Sequence, residues 1–167
     1  MKEIPLTQGK VALVDDEDFE FLTQWKWSLA RHKDGIHNNN YAYRQSEFTD
    51  SIRRSIKMHR LIMGLQSGDN QHTDHINGNG LDNRKENLRI CTVTENNRNR
   101  PIRRQNSSGY KGVCFSHCKS KPWAARITVN YKDIKIGYFL TKELAALAYN
   151  EAARKYHGEF AHLNKVE

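Results

Sequence analysis

An α+β chain built from small modules is the fold class the sequence predicts, and three observations lead there. Short apolar runs alternate with polar residues at period 2 in the first third, the pattern of strands buried on one face. The middle third is dense in polar residues and short of apolar anchors. The last third joins three strand-like runs to one alanine-rich helical stripe. At 167 residues the chain suits one ordinary domain or two or three small ones, and it is too short for a barrel enzyme.

Residues 1–58 make a β-rich segment that reads as a small antiparallel sheet. Trp25 and Trp27 alternate with polar neighbours, as do Tyr41 and Tyr43, which predicts strands at both places. The acidic run Asp15-Asp16-Glu17-Asp18 reads either as the first turn of a short helix carrying Phe19, Phe21 and Leu22 or as a solvated turn. Residues 32–40, with Gly35 and three successive asparagines, are a hairpin-like connection.

Residues 59–100 hold few apolar anchors: Ile76, Leu81, Leu88, Ile90 and Val93. Such a stretch must be held by local hydrogen bonds, a metal or its neighbours. It reads as a strand at 73–76, a loop at 77–87, a strand at 88–91 and a helix at 93–99, with Thr92 and Glu95 spaced as a capping box. Residues 101–108 are a basic linker. Arg98, Arg100, Arg103, Arg104 and Lys111 fall between positions 98 and 111 with no acidic residue among them, which suits either a segment lying along phosphates or a solvated tether.

Residues 109–167 form the last module, with strands at 111–116, 123–129 and 134–139 ahead of a helix at 142–156. Leu144, Leu147, Ala148, Ala152 and Tyr156 are the expected buried stripe of that helix, Thr141 its N-cap and Gly158 its breaker. Alternation turns Trp123, Ala125, Ile127 and Val129 toward the helix. Arg126 and Thr128 are left on the outer face, with Lys111, Lys132 and Lys135 nearby, a basic polar surface suited to a DNA groove or simply to water.

Charge and composition narrow the partners. Lys and Arg number 27 against 19 Asp plus Glu, a net +8 that favours a polyanion, with nucleic acid first among candidates. No stretch approaches the roughly 18 apolar residues of a membrane span. No uninterrupted apolar segment follows Met1 as in a secretory signal, so a cytoplasmic protein is expected. Cys91, Cys114 and Cys118 include no C-x-x-C pair, against a disulfide framework or a four-cysteine zinc site. No protein partner is evident, and monomer and dimer both remain open.

The chemistry concentrates in the string from Asp74 to Arg89 and in Asn96. Strand, loop, strand and helix would bring Asp74 and Asn96 to one site, where a carboxylate and an amide oxygen suit magnesium, manganese or calcium better than zinc. The Asp74-His75 pair reads either as a structural feature of a turn or as chemistry in which His75, an imidazole that titrates near neutrality, could activate a water as general base. Phosphodiester hydrolysis needs both parts, the base to make the nucleophile and the cation to offset phosphoryl charge.

Asp74-His75, the Asn77-Gly78-Asn79 loop, the Leu81-Asp82-Asn83 turn and Glu86-Asn87-Leu88-Arg89 follow in the order of the HNH endonuclease motif, and the string resembles its phage and intron-associated homing type. The resemblance implies a ββα-metal nuclease over 59–100 that acts on double-stranded DNA and leaves 5′-phosphate and 3′-hydroxyl ends. Carried over by position, His75 resembles the general base, and Asn87 the asparagine that braces the loop and orients the histidine. Asp74 and Asn96 resemble the ligands of a divalent cation, Mg2+ first, with Mn2+ or Ca2+ as substitutes. Asn96 stands where many relatives have histidine. His59-Arg60-Leu61 resembles the element preceding the motif and gives His59 a supporting role or a buried structural one. Arg84, Lys85 and Arg89 are candidates for phosphate contact.

The last module resembles an AP2 domain through Ser108-Gly109-Tyr110-Lys111-Gly112-Val113, Trp123-Ala124-Ala125-Arg126-Ile127, Ile136-Gly137-Tyr138-Phe139, the alanine-rich helix and Leu163-Asn164. That resemblance implies a sheet that enters the major groove with Lys111, Arg126, Thr128 and Lys135 facing DNA. Cys114 and Ser116 stand where the plant-type version has arginines. The function read from these resemblances is a metal-dependent DNA endonuclease that nicks or cuts both strands. The alternatives are a DNA-binding regulator on an inactive HNH fold and a structural or assembly protein.

Overall fold

The computed structural model describes residues 1–30, 40–46, 54–102 and 106–166. It is a mixed α+β protein of small antiparallel sheets and a few helices with no barrel, as the sequence predicts. Two compact units divide it, Met1–Asn96 and Asn97–Glu167. No helix among the described residues is long and apolar enough to cross a membrane.

In the first unit, strands β1 (Lys2–Pro5) and β2 (Val11–Val14) form a hairpin, followed by α1 (Asp16–Thr23). Three acidic residues occupy the first turn of α1, where the helix dipole favours them, and Leu22 is fully buried. Strands β3 (Ser28–Ala30), β4 (Tyr41–Gln45) and β5 (Ser55–Lys57) form a second sheet in that order. The first of these starts one residue after Trp27, not at the tryptophans as expected. Trp27 is anchored by its indole N–H donating to the Leu22 carbonyl at 2.8 Å, so it packs against the end of α1. The expected connection over 32–40 lies almost wholly outside the described residues, His32 and His37 included.

Helix α2 (Met58–Ile62) follows, then the hairpin β6 (His72–His75) and β7 (Leu88–Cys91), and helix α3 (Val93–Asn99). The capping box at α3 is reciprocal: the Thr92 N–H donates to Glu95 Oε2 at 2.8 Å and the Glu95 N–H to Thr92 Oγ1 at 3.2 Å. One apolar cluster among the described residues joins most of the unit's elements. Ile4, Leu6, Ala12, Val14, Leu22, Trp27, Leu29, Ala42 and Met58 are buried, with Leu61, Ile62 and Leu81 packed against them. Segment 1–58 and the strand–loop–strand region therefore share a core.

The loop between β6 and β7 owns little apolar surface and is fastened by backbone to β2. The Leu13 N–H donates to the Leu81 carbonyl and the Asn83 N–H to the Leu13 carbonyl, each at 2.8 Å.

In the second unit, β8 (Val113–Phe115), β9 (Trp123–Val129) and β10 (Lys132–Phe139) form one antiparallel sheet with β9 in the centre. Helix α4 (Lys142–His157) packs on it, capped by Thr141, whose Oγ1 accepts from the Leu144 N–H at 3.2 Å. The buried stripe is Ala145, Ala146, Tyr149, Asn150, Ala153 and His157. Leu144 and Leu147, the expected core residues, are 47% and 49% exposed. The sheet lies so close that small alanine faces fit between it and the helix axis, which rotates the leucines outward. Asn150 and Asn164 exchange two hydrogen bonds, and Asn164 exchanges two more with the Lys111 backbone, fastening the tail to the start of the sheet.

Candidate active site

The register of the β6–β7 hairpin sorts the site residues onto two faces. Asp74 lies opposite Arg89 and His72 opposite Cys91, while His75 lies opposite Leu88 on the other face. Asp74 and His75 are thus neighbours in sequence that point apart.

His75 is buried in a cage of rings. Its ring centroid lies 4.9 Å from that of His59 and 5.7 Å from that of Tyr41, and the His59 and Tyr41 centroids are 5.1 Å apart. His75 Nε2 lies 3.2 Å from Asn83 Oδ1. The Asn83 amide nitrogen donates to the Leu81 carbonyl at 3.3 Å, which turns its oxygen to the ring and makes Nε2 the donor. The basic lone pair of the neutral ring then sits on Nδ1. Burial lowers the His75 pKa below the ordinary value, and the Asn83 bond and the Asp74 and Asp82 charges oppose that shift without reversing it. The ring is neutral at pH 7, the state a general base needs.

Asn87 and Asn83 divide the bracing of the histidine. The Asn77 N–H donates to Asn87 Oδ1 at 3.0 Å, and Asn87 Nδ2 donates to the Asp82 carbonyl at 2.8 Å. Asn87 thereby clamps the two ends of the loop, while the bond to the imidazole comes from Asn83. Sequence reasoning missed Asn83 and Tyr41. The first lay unassigned within the Leu81-Asp82-Asn83 turn, and the second was legible only as a strand aromatic. Gly80 is where Tyr41 presses on the loop, since a Cβ there would meet the Asn40 carbonyl oxygen at 2.3 Å and the Tyr41 ring at 2.8 Å.

His59, on α2, is buried with its pKa well below the usual value. Burial is the main cause, followed by the charges of His75, Lys57 and Arg60. Folding therefore favours the neutral imidazole, and the unfolded chain binds more protons below about pH 6.5, the ordinary histidine value. Stability is expected to fall as pH drops through that value and on toward the depressed folded pKa. His59→Phe, which keeps a ring in the cage, is expected to flatten the slope of melting temperature against pH between 6.5 and 5; an unchanged slope would contradict this.

On the opposite face, the Arg89 Nε and Nη2 donate to Asp74 Oδ2 at 2.9 and 2.6 Å. The Cys91 thiol is pushed up to about 11 by burial first and by the Asp74 charge second, and the Asn96 backbone N–H donates to it. Asp74 and the Asn96 turn of α3 thus flank one buried thiol. Among the described residues, no three His, Cys, Asp or Glu side chains group as a metal site. The Asp74 carboxylate and the half-buried Asn96 amide on α3 offer hard oxygens that would suit a divalent cation, the carboxylate here holds the Arg89 guanidinium, and Cys91 stays a neutral thiol that offers no soft thiolate.

The predicted phosphate contacts in this unit are engaged within it. Arg84 donates from Nε and Nη2 to the two oxygens of Asp82, each at 2.8 Å, and also pairs with Glu86. Lys85 Nζ pairs with Glu17 at 2.5 Å and with Asp18 at 3.4 Å. These pairs pin the loop to itself and to α1.

In the second unit, Lys111 Nζ donates to the carbonyls of Arg98 and Arg100 at 2.5 and 2.7 Å. Burial lowers its pKa to about 8, so it caps the end of α3. The Thr128 hydroxyl donates to Asp133 at 2.6 Å. Arg126, Lys132 and Lys135 are exposed, with Arg126 and Lys135 opposite each other across β9 and β10. Arg100 is exposed and Arg98 half-buried, whereas Arg103 and Arg104 lie outside the described residues.

Compared with known proteins, residues 57–98 match the family model described as HNH endonuclease. The chain is 26% identical over 160 residues to "Uncharacterized HNH endonuclease L560" of Acanthamoeba polyphaga mimivirus, covering 96% of this chain and 78% of that protein. It is 32% identical over 90 residues to "Protein 3.8" of Escherichia phage T7, covering 54% of this chain and 73% of that protein. Residues 57–98 thus form an HNH endonuclease family domain. Both of these relatives are viral, and the family implies DNA as the substrate and, in general, a divalent metal ion.

Proposed function

We propose that the protein is a metal-dependent DNA endonuclease in which His75 is the general base. The observation that carries this reading is the buried, neutral His75 with its Nε2 hydrogen directed at Asn83, at the end of the strand that carries Asp74. Nδ1 takes a proton from water as its oxygen bonds to phosphorus, the bond from phosphorus to the 3′ oxygen breaks, and the departing oxyanion takes a proton from a solvent water, leaving a 5′-phosphate and a 3′-hydroxyl. Asn83 holds the ring's direction, and Asn87 holds the loop that carries Asn83. His59 and Tyr41 pack against the ring, and the burial they give it favours the neutral imidazole. Asp74 and Asn96 would hold the cation, which supplies charge neutralisation at the phosphoryl group and the leaving oxygen when bound.

The outer face of the second unit supports duplex binding. Arg126, Lys132 and Lys135 stand exposed on a twisted sheet backed by α4, in keeping with the resemblance to an AP2 domain. Lys111, spent on carbonyls, serves this module as a structural cap, and Arg84 and Lys85 serve the loop.

The test is the chemistry of the ends. Plasmid cut in the presence of Mg2+ is expected to reseal with DNA ligase without prior phosphorylation. Ends that need a kinase first, or a salt-sensitive complex in which the duplex stays whole, would contradict the proposal. Asn83→Ala is expected to lower the cleavage rate about 10- to 100-fold by freeing the ring, as loss of an orienting partner does at comparable sites. A single-turnover rate equal to wild type would count against Asn83 as the orienting residue.

A further inference from the structure

Resting on the cation site proposed above, we propose that Arg89 is a built-in competitor for that site, seated on Asp74 where the divalent ion binds. Asp74 and Arg89 face each other in register on adjacent strands, and their side chains are only 7% and 12% exposed. Two guanidinium nitrogens converge on the single oxygen Oδ2, at 2.9 and 2.6 Å.

An ion pair on the surface would matter little, but here removing either partner leaves a charge stranded out of water. Asp74 therefore keeps a positive partner in each state of the site, the guanidinium without metal and the ion with it. The two do not share one carboxylate oxygen, because a +2 ion and a +1 group a few ångströms apart repel strongly at low dielectric. On Oδ2 the ion binds only as Arg89 withdraws, so the free energy of the Asp74–Arg89 pair is subtracted from that of ion binding there. The pairs of Arg84 with Asp82 and of Lys85 with Glu17 and Asp18 involve no proposed ligand and carry no such competition.

The experiment is Mn2+ affinity in the DNA-free full chain, read from free Mn2+ by electron paramagnetic resonance, for wild type, Arg89→Gln and Asp74→Asn. Arg89→Gln is expected to bind Mn2+ roughly tenfold more tightly, within the usual range of coupling between two binding events, and Asp74→Asn to lose the site. Unchanged or weaker binding by Arg89→Gln, with binding still lost in Asp74→Asn, would overturn the role of Arg89 and leave the cation site standing. Binding by Asp74→Asn as tight as wild type would overturn the cation site and the competitor with it. Should Arg89→Gln fail to fold, Arg89→Lys keeps the charge without the two-pronged grip; it is expected to tighten Mn2+ binding by a few fold, and no tightening would overturn the proposal.

Discussion

His75→Ala is expected to lower the single-turnover cleavage rate by about 10²- to 10⁴-fold, the usual contribution of a positioned acid or base. The site explains why this loss would be confined to the chemical step. His75 lies in the family-matched region, and its ring is fixed by Asn83 on one side and by His59 and Tyr41 on the others. The ring is buried and adds no exposed cation to the duplex-binding surface, so duplex affinity should stay within a fewfold of wild type. The truncation leaves a void beside His59, and circular dichroism melting would separate a small stability loss from lost chemistry. A variant that melts like wild type and cuts at the wild-type rate would remove His75 from the reaction.

Gly112→Ala is expected to destabilise the second unit by about 3 kcal/mol or more, the sum of overpacking and of a non-glycine residue at positive φ. The backbone there has φ +73°, and a Cβ would sit 2.1 and 2.2 Å from the buried Tyr149 ring and 2.6 Å from the Arg126 carbonyl oxygen. Tyr149 has nowhere to go, because Ala145, Ala146 and Ala153 already hold α4 close to the sheet. The drop in melting temperature should be on the order of 10 °C or more for a module of this size. Gly158→Ala shares the positive φ, at +57°, but meets nothing within 4 Å, and it is expected to cost clearly less. Equal melting temperatures for the two variants would contradict this packing account.

Much of this was legible in the sequence because the signals were local. Period-2 alternation located the β9 strand residue for residue, and Thr92 with Glu95 marked the start of α3. Asp74 and His75 stood out by their resemblance to the HNH motif, and a strand sends such neighbours to opposite faces. What stayed hidden depended on distance or packing. The carboxylates that engage Lys85 lie about 70 positions away on and before α1, a pairing that no local spacing announces. The choice between Asn83 and Asn87 depends on which of several loop asparagines meets the ring, which spacing does not encode. On α4, leucines outweigh alanines on any hydrophobic scale, yet the close approach of the sheet selected the alanine face. Tyr41 reached the site through a shared core that the segment boundaries at 58 and 59 did not suggest.

The central claim, hydrolysis of duplex DNA at the His75 and Asp74 hairpin, is tested most directly with supercoiled plasmid. Wild type is incubated with Mg2+ or Mn2+, beside EDTA and beside His75→Ala, and nicked and linear forms are resolved. The account predicts product with either metal, none with EDTA and almost none with His75→Ala. Cleavage that survives both EDTA and the substitution would contradict it.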